Sequence, residues 1–303
     1  MFSVPDARRL SLERDGADWP NRDASRMVEA GGLRWHVQMA GDGPPLLLIH
    51  GTGAATHSWR DALPILAQHY RVLAPDLPGH GFTDSSGSDS LSLPGMSRAL
   101  AALLAALDFT PRIVVGHSAG AAILARLCLD RRLAPDLLIS LNGALTPFAG
   151  LAGHILPPMA KMLFLNPFAP RLFAWSADRA AVARLLGGTG STIDARGIAL
   201  YGRLFANTAH VAGALGMMAN WDLHSLQRDL PRLSTRVALL AATNDKTVAP
   251  SVARKVAALL PNASLIEIDG LGHLAHEEAP AHLCDMMARL AHEIEPPAAR
   301  LSA

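Results

Sequence analysis

The segment that most constrains the fold of this chain is a serine-centred turn between a strand-like run and a helix-like run. Residues 112–115 are largely apolar and typical of a buried strand, whereas residues 119–130 are rich in alanine and leucine and favour a helix. Small residues beside Ser118 allow a strained turn that exposes its hydroxyl at the carboxyl end of a sheet. The turn consists of Gly116, His117, Ser118, Ala119 and Gly120.

Strand-like and helix-like segments alternate on both sides of this turn. Strands that are separated by helices pair in parallel, so the sequence predicts the α/β class. We expect a mostly parallel, doubly wound, eight-stranded sheet with helices on both faces. The predicted strands cover residues 26–29, 34–39, 44–50, 71–74, 112–115, 137–141, 236–242 and 264–268, and the predicted helices cover residues 58–69, 96–107, 119–130, 250–260 and 280–293.

The alternation stops after the sixth predicted strand. Residues 143–232 contain helix-like pieces rich in alanine, leucine and methionine, and proline and glycine separate them. This pattern predicts a helical cap inserted into the sheet domain. The chain then divides into an N-terminal extension at 1–25, an α/β core at 26–142 and 233–295, and the cap at 143–232.

One uncharged run is long enough to be compared with a membrane span. Residues 137–160 contain no aspartate, glutamate, lysine or arginine. Pro147, Pro157 and Pro158 interrupt the run, which favours a buried strand followed by irregular apolar segments. A surface that touches a membrane peripherally is the alternative.

The charge balance and the cysteines exclude several classes of function. Lysine and arginine number 27 and aspartate and glutamate number 26, so no overall positive field attracts nucleic acid. Cys128 and Cys284 lie far apart in the sequence, and we expect two reduced, buried thiols. We predict no cofactor and no metal site. Residues 6–23 are polar and lack the apolar stretch of a secretory signal, so we expect a cytoplasmic protein.

A serine hydroxyl is a poor nucleophile at neutral pH and needs a base and an acid. Asp245 follows the predicted strand 236–242, and His273 follows the strand 264–268 in a glycine-containing loop. Serine, aspartate and histidine occur in this order in α/β-hydrolase triads. The sequence therefore predicts Ser118 as nucleophile, His273 as base and Asp245 as the acid that orients it.

Other residues compete for these roles. His276 lies on the same stretch as His273 but lacks its Gly-His context, and His117 is expected to pack or to bond at the helix start. Asp222 and Asp229 fall in the predicted cap. Asn142 follows the sixth predicted strand, where some related proteins carry their acid, and this favours Asp245.

Acyl transfer also needs donors for an oxyanion. We predict the amide of Ala119, after the nucleophile, and the amide of Thr52, in the loop after the third strand. The stretch around Gly51 and Gly53 resembles a dinucleotide fingerprint, but Thr56 replaces its third glycine. Residues 187–190 lack the lysine of a P-loop and are expected to link cap helices.

At these residues the chain resembles the α/β-hydrolase superfamily over nearly its whole length. More narrowly, it is similar to the magnesium-chelatase accessory proteins of bacteriochlorophyll biosynthesis, which are encoded among photosynthesis genes. That resemblance implies a role near the insertion of magnesium into protoporphyrin IX. The stretches that carry it are residues 18–22, 32–38, 50–60 and 213–222.

Two functions remain open from the sequence. The first is a serine hydrolase that cleaves an ester-type bond of an apolar small molecule. The second is a non-catalytic accessory protein that binds a tetrapyrrole and assists the magnesium chelatase subunits. In the second case a cap histidine, His154, His210 or His224, would face the macrocycle.

Overall fold

The computed structural model describes residues 9–147, 159, 162–163, 166 and 168–294. Its strands form one sheet in the order β1-β2-β4-β3-β5-β6-β7-β8. Strand β2 is antiparallel to β1 and to β4, and the other neighbours are parallel. The predicted mostly parallel, eight-stranded α/β fold is confirmed. The strands are β1 Ser25–Ala30, β2 Leu33–Ala40, β3 Pro45–Ile49, β4 Arg71–Pro75, β5 Ile113–His117, β6 Leu137–Leu141, β7 Val237–Ala242 and β8 Ala263–Ile268.

Helices cover both faces of the sheet, because alternate strand residues point to opposite sides. In β3, Leu47 and Ile49 join one apolar layer, whereas Leu46 and Leu48 join the other. Helices α3 and α4 cover the first layer, and α2 and α12 cover the second. The described helices are α1 Leu12–Asp15, α2 Ala62–Leu66, α3 Leu93–Ala106, α4 Ala119–Leu129, α5 Ala169–Ser176, α6 Arg179–Gly188, α7 Ala195–Phe205, α8 Thr208–Ala219, α9 His224–Asp229, α10 Pro250–Leu259, α11 Ala275–Glu278 and α12 Pro280–Glu293.

The connection between β6 and β7 carries helices α5 to α9 and, where the structure describes it, no strand. This agrees with a helical insertion after the sixth strand. Of the uncharged run 137–160, residues 137–141 form the buried strand β6, and residues 148–158 lie outside the described part of the chain. None of the described helices is sufficiently long and apolar to span a bilayer.

The helix predicted at 58–69 is wrong in extent. The structure has a 3-10 turn at Thr56–Trp59 and a separate short helix α2. Pro64 is the physical reason, because a proline ring clashes with the carbonyl four residues earlier, here that of Arg60.

The turn after β5 leaves no room for side chains on its glycines. A Cβ atom on Gly116 would lie 2.4 Å from the Ala121 nitrogen, and one on Gly120 would lie 2.4 Å from the Ile49 oxygen. Ser118 itself has φ 52° and ψ −118°, a backbone conformation that costs a non-glycine residue about 1–3 kcal/mol. The small residues predicted to permit this turn are therefore sterically required.

We expect Gly120→Ala to lower the free energy of unfolding by about 1–3 kcal/mol, because the new methyl group is forced against backbone. Gly202→Ala is the matched control, since nothing lies within 4 Å of a Cβ atom there. That control should be neutral or stabilising by up to about 1 kcal/mol. Urea unfolding measures both, and equal stabilities for the two variants would contradict this account of the turn.

Candidate active site

Asp245 and His273 form a hydrogen-bonded pair at the carboxyl edge of the sheet. His273 Nδ1 lies 2.7 Å from Asp245 Oδ2, and both residues are buried. The other carboxylate oxygen, Oδ1, accepts the amides of Thr247 at 2.7 Å and Val248 at 2.8 Å. With Nδ1 donating to the carboxylate, Nε2 is the ring nitrogen that faces away from Asp245 and whose lone pair can accept a proton.

Ser118 lies between β5 and α4 and is partly exposed, whereas its neighbours in the turn are buried. Its amide donates to the Leu141 carbonyl at 3.0 Å, and its carbonyl accepts the amides of Ala121 at 3.2 Å and Ala144 at 3.0 Å. Ala119 is the first residue of α4, so its N–H has no acceptor within the helix and points from the positive end of the helix dipole. The serine is thus held by its backbone beside a free donor.

Two side chains brace the loop that carries His273. His117 Nε2 donates to the His273 carbonyl at 2.9 Å, and Asn142 Nδ2 donates to the same oxygen at 2.9 Å and to the Gly272 carbonyl at 3.1 Å. Asn142 Oδ1 accepts the Ala242 amide at 2.8 Å. The expectation that His117 packs or bonds at the helix start missed this contact. Burial, with His276 and His273 nearby, holds the pKa of His117 well below its usual value.

The glycine-containing stretch between α6 and α7 also supports the acid and base loops. The Thr189 carbonyl accepts the amides of Lys246 at 3.0 Å and His273 at 3.4 Å. Gly190 has φ +88°, and a Cβ atom there would lie 2.0 Å from the Asn244 oxygen. The prediction of a linker was incomplete, since this stretch contacts both loops. In the sequence, the glycines were the only feature that indicated so close an approach of two backbones.

The competing residues are engaged elsewhere. His276 Nε2 is hydrogen-bonded to Ser58 Oγ at 2.8 Å, and burial lowers its pKa to about 3. Asp222 pairs with His224 on the exposed surface. Asp229 pairs with Arg126.

Helix α8 holds the loop that contains Thr52. His210 Nε2 donates to the Gly53 carbonyl at 3.1 Å, and its Nδ1 accepts the Gly81 amide at 3.0 Å. The Thr52 hydroxyl lies 3.3 Å from the Met217 sulfur. Both ring nitrogens of His210 are therefore occupied, which argues against its facing a macrocycle. His154 lies outside the described residues.

A buried ion pair within the core accepts a hydrogen bond from the insertion, and no sequence pattern indicated it. Arg60 contacts Glu277, and the Tyr201 hydroxyl donates to Glu277 at 2.7 Å. Burial raises the pKa of Glu277 to about 7 against the opposing effect of Arg60. These residues are too far apart in sequence to form a motif. In the described ranges no three His, Cys, Asp or Glu side chains are grouped so that they could hold a metal ion.

Comparisons with known proteins place this geometry in a family. Residues 44–280 match the family model described as alpha/beta hydrolase fold, and the chain belongs to that family. It is 43% identical over 274 residues to the protein called "Magnesium-chelatase 30 kDa subunit" of Rhodobacter capsulatus, with 89% of this chain and 95% of that protein covered. The resemblance inferred from the sequence is confirmed.

Solved structures show how widely this fold is shared. The enol-lactonase of Burkholderia xenovorans LB400 has a TM-score of 0.72 at 18% identity, with 88% of this chain and 99% of that chain covered. The epoxide hydrolase CorEH has a TM-score of 0.74 at 20% identity, with 89% of this chain and 99% of that chain covered. At these identities the likeness shows the fold alone, since one fold hosts many reactions.

Several histidines around the site are fully buried and neutral. Burial is the main cause that lowers the pKa of each, to about 4 for His210. The unfolded chain, with a histidine pKa near 6.5, therefore binds more protons than the folded chain in mildly acidic solution. Stability is lost as the pH falls. The histidines that share this direction are His50, His57, His80, His117, His210 and His276.

We expect the free energy of unfolding to fall as the pH drops from about 6.5 to about 4, by up to about 1.4 kcal/mol per pH unit for each such histidine. His210→Asn should lower the slope of the unfolding free energy against pH by the contribution of one histidine, up to about 1.4 kcal/mol per pH unit, because the amide does not titrate. His282→Asn, at an exposed position, should leave it unchanged. Urea unfolding across this pH range measures the slopes, and an unaltered slope in His210→Asn would contradict the assignment.

Proposed function

We propose that this protein is a serine hydrolase that cleaves an ester-type bond of an apolar substrate. The observation that carries the proposal is the 2.7 Å hydrogen bond between His273 and Asp245. It lies at the carboxyl edge of the sheet, where β5 ends at the strained Ser118. Acyl transfer requires a serine and a base oriented by an acid. Here a buried Asp–His pair and a partly exposed serine lie at the same edge of the sheet.

In the proposed reaction His273 Nε2 takes the proton from Ser118 Oγ as that oxygen attacks the substrate carbonyl carbon. The amides of Ala119 and Thr52 donate to the carbonyl oxygen as it becomes negative. The imidazolium then gives its proton to the leaving group, and an acyl-enzyme forms. Water, deprotonated by His273, releases the acid and restores the serine. Asp245 stays ionised and stabilises the imidazolium.

The apolar substrate class rests on the insertion and on the relative. Residues 204–221 carry no charged side chain, and α8 within this run contacts the Thr52 loop. The name of the Rhodobacter capsulatus relative supports a link between the proposed activity and magnesium chelatase. The family resemblance of the sequence implies that the activity belongs to magnesium-protoporphyrin and bacteriochlorophyll biosynthesis. Esters, thioesters, amides and activated carbon–carbon bonds are the bond types among which the sequence does not choose.

A fluorophosphonate probe tests the proposal, because it labels only an activated serine. We expect the wild-type protein to be labelled and Ser118→Ala to remain unlabelled. Asp245→Asn should react more slowly than the wild type, by up to about 10⁴-fold. Ser264→Ala, at an exposed serine of β8, is the matched control and should label like the wild type. A folded wild-type protein that takes no label would overturn the hydrolase.

The second candidate is a non-catalytic porphyrin-binding accessory protein of magnesium chelatase. The observation that favours it is the name of the relative, a magnesium-chelatase subunit. Titration with protoporphyrin IX and its magnesium complex, followed by absorbance, tests it in the Ser118→Ala variant. We expect a spectral shift at micromolar protein that does not need the serine, and an unchanged spectrum would contradict the candidate.

A further inference from the structure

The exposed large apolar side chains of the described residues all fall in one part of the chain, the insertion between β6 and β7. Scattered exposed apolar residues are ordinary, but a concentration of them marks an interaction surface. The set includes two aromatic residues that are more than half exposed. Its members are Met159, Met162, Phe168, Leu172, Phe173, Trp175, Leu185 and Met218.

Helix α5 presents its bulky side to solvent, the reverse of the usual orientation. Phe168, Leu172 and Trp175 follow the spacing of one helix face and are 68%, 64% and 62% exposed. Pro170 and Ala174, on the opposite side, are buried. A surface helix normally buries its apolar stripe. We call Phe168, Leu172 and Trp175 the α5 face.

Contacts on the other side of the helix fix this orientation. Helix α5 packs against α8. The ring of Phe173 meets that of Phe205 edge to face, with centroids 6.0 Å apart. The α5 face therefore cannot turn inward without breaking the contacts that hold the helix.

The charges around the α5 face are mainly positive, and the exposed Asp178, whose carboxylate caps the next helix, is the nearest acidic residue along the chain. Arg171 is exposed and lies three residues after Phe168 and four before Trp175, so it sits on the same side of the helix. No acidic residue occurs from position 137 to 177, although the whole chain carries a net charge of only +1. Arg179 and Arg184 on the next helix are also exposed.

This combination identifies the occupant by its chemistry. Tryptophan, phenylalanine and leucine beside arginine suit the boundary between headgroups and acyl chains of an anionic bilayer. A second copy of this chain would bring the same positive charges together, which disfavours self-association. We propose that the α5 face docks this protein peripherally on an anionic lipid surface.

The docking would bring the insertion, whose helix α8 holds the Thr52 loop, next to the bilayer. An apolar substrate dissolved in the lipid would then reach the candidate site without crossing water. This consequence rests on the proposed function, but the docking itself does not. Vesicle binding and fluorophosphonate labelling therefore succeed or fail separately.

Co-sedimentation of the full chain with vesicles tests the docking. We expect binding to vesicles of phosphatidylcholine and phosphatidylglycerol in equal amounts, and much weaker binding to phosphatidylcholine alone. Leu172→Ser/Trp175→Ser should weaken binding more than about tenfold, because it removes the inserted apolar area. Arg171→Glu should weaken it about tenfold through charge reversal.

Arg132→Glu is the matched charge control, since Arg132 is exposed and precedes β6 at the opposite edge of the sheet. It should bind like the wild type. Unchanged melting temperatures would show that each variant is folded. Absence of binding by the wild-type protein, or equal binding by Leu172→Ser/Trp175→Ser, would overturn the proposal. So would a wild-type dimer in light scattering that the double variant converts to a monomer.

Discussion

The constraint on which the site depends is the backbone of Ser118, held at φ 52° in a conformation that a serine rarely adopts. Three backbone hydrogen bonds retain it, to Leu141, Ala121 and Ala144. Their combined effect outweighs a local cost of about 1–3 kcal/mol. Because α4 begins at the next residue, the same turn that exposes the hydroxyl also leaves an amide without a helical partner. The proposed nucleophile and the proposed oxyanion donor thus share one structural cause.

The sheet brings the other loops to the same edge and cross-links them there. Asn142 connects the ends of β6 and β7 to the His273 loop, and His117 adds a second bond to the same carbonyl. Thr189, from the insertion, binds the loops that carry Asp245 and His273. The position of the imidazole is therefore set by the backbone of its own loop as well as by Asp245. A rigid base is what a reaction with a short-lived charged transition state needs.

The sequence predicted the sheet, its insertion and the pair Asp245 and His273, because strand periodicity and chain order leave strong local signals. It did not predict the hydrogen bonds that hold the His273 loop. In the sequence Asn142 is notable only because it stands where some related proteins carry an acid. Its side-chain amide bonds backbone atoms that are far away in the chain, and no local pattern predicts those bonds. Thr189 contributes a main-chain oxygen, which any residue type could supply. The helix at 58–69 failed because Pro64 outweighs an otherwise helical pattern.

The central proposal is that Ser118 is an activated nucleophile and that the amides of Thr52 and Ala119 bind the oxyanion that forms on the substrate carbonyl. A crystal structure of the protein after reaction with a fluorophosphonate measures this directly. The account predicts phosphorus bonded to Ser118 Oγ, with the phosphoryl oxygen within hydrogen-bonding distance of both amide nitrogens. An adduct on another residue, or a phosphoryl oxygen turned away from these amides, would contradict it.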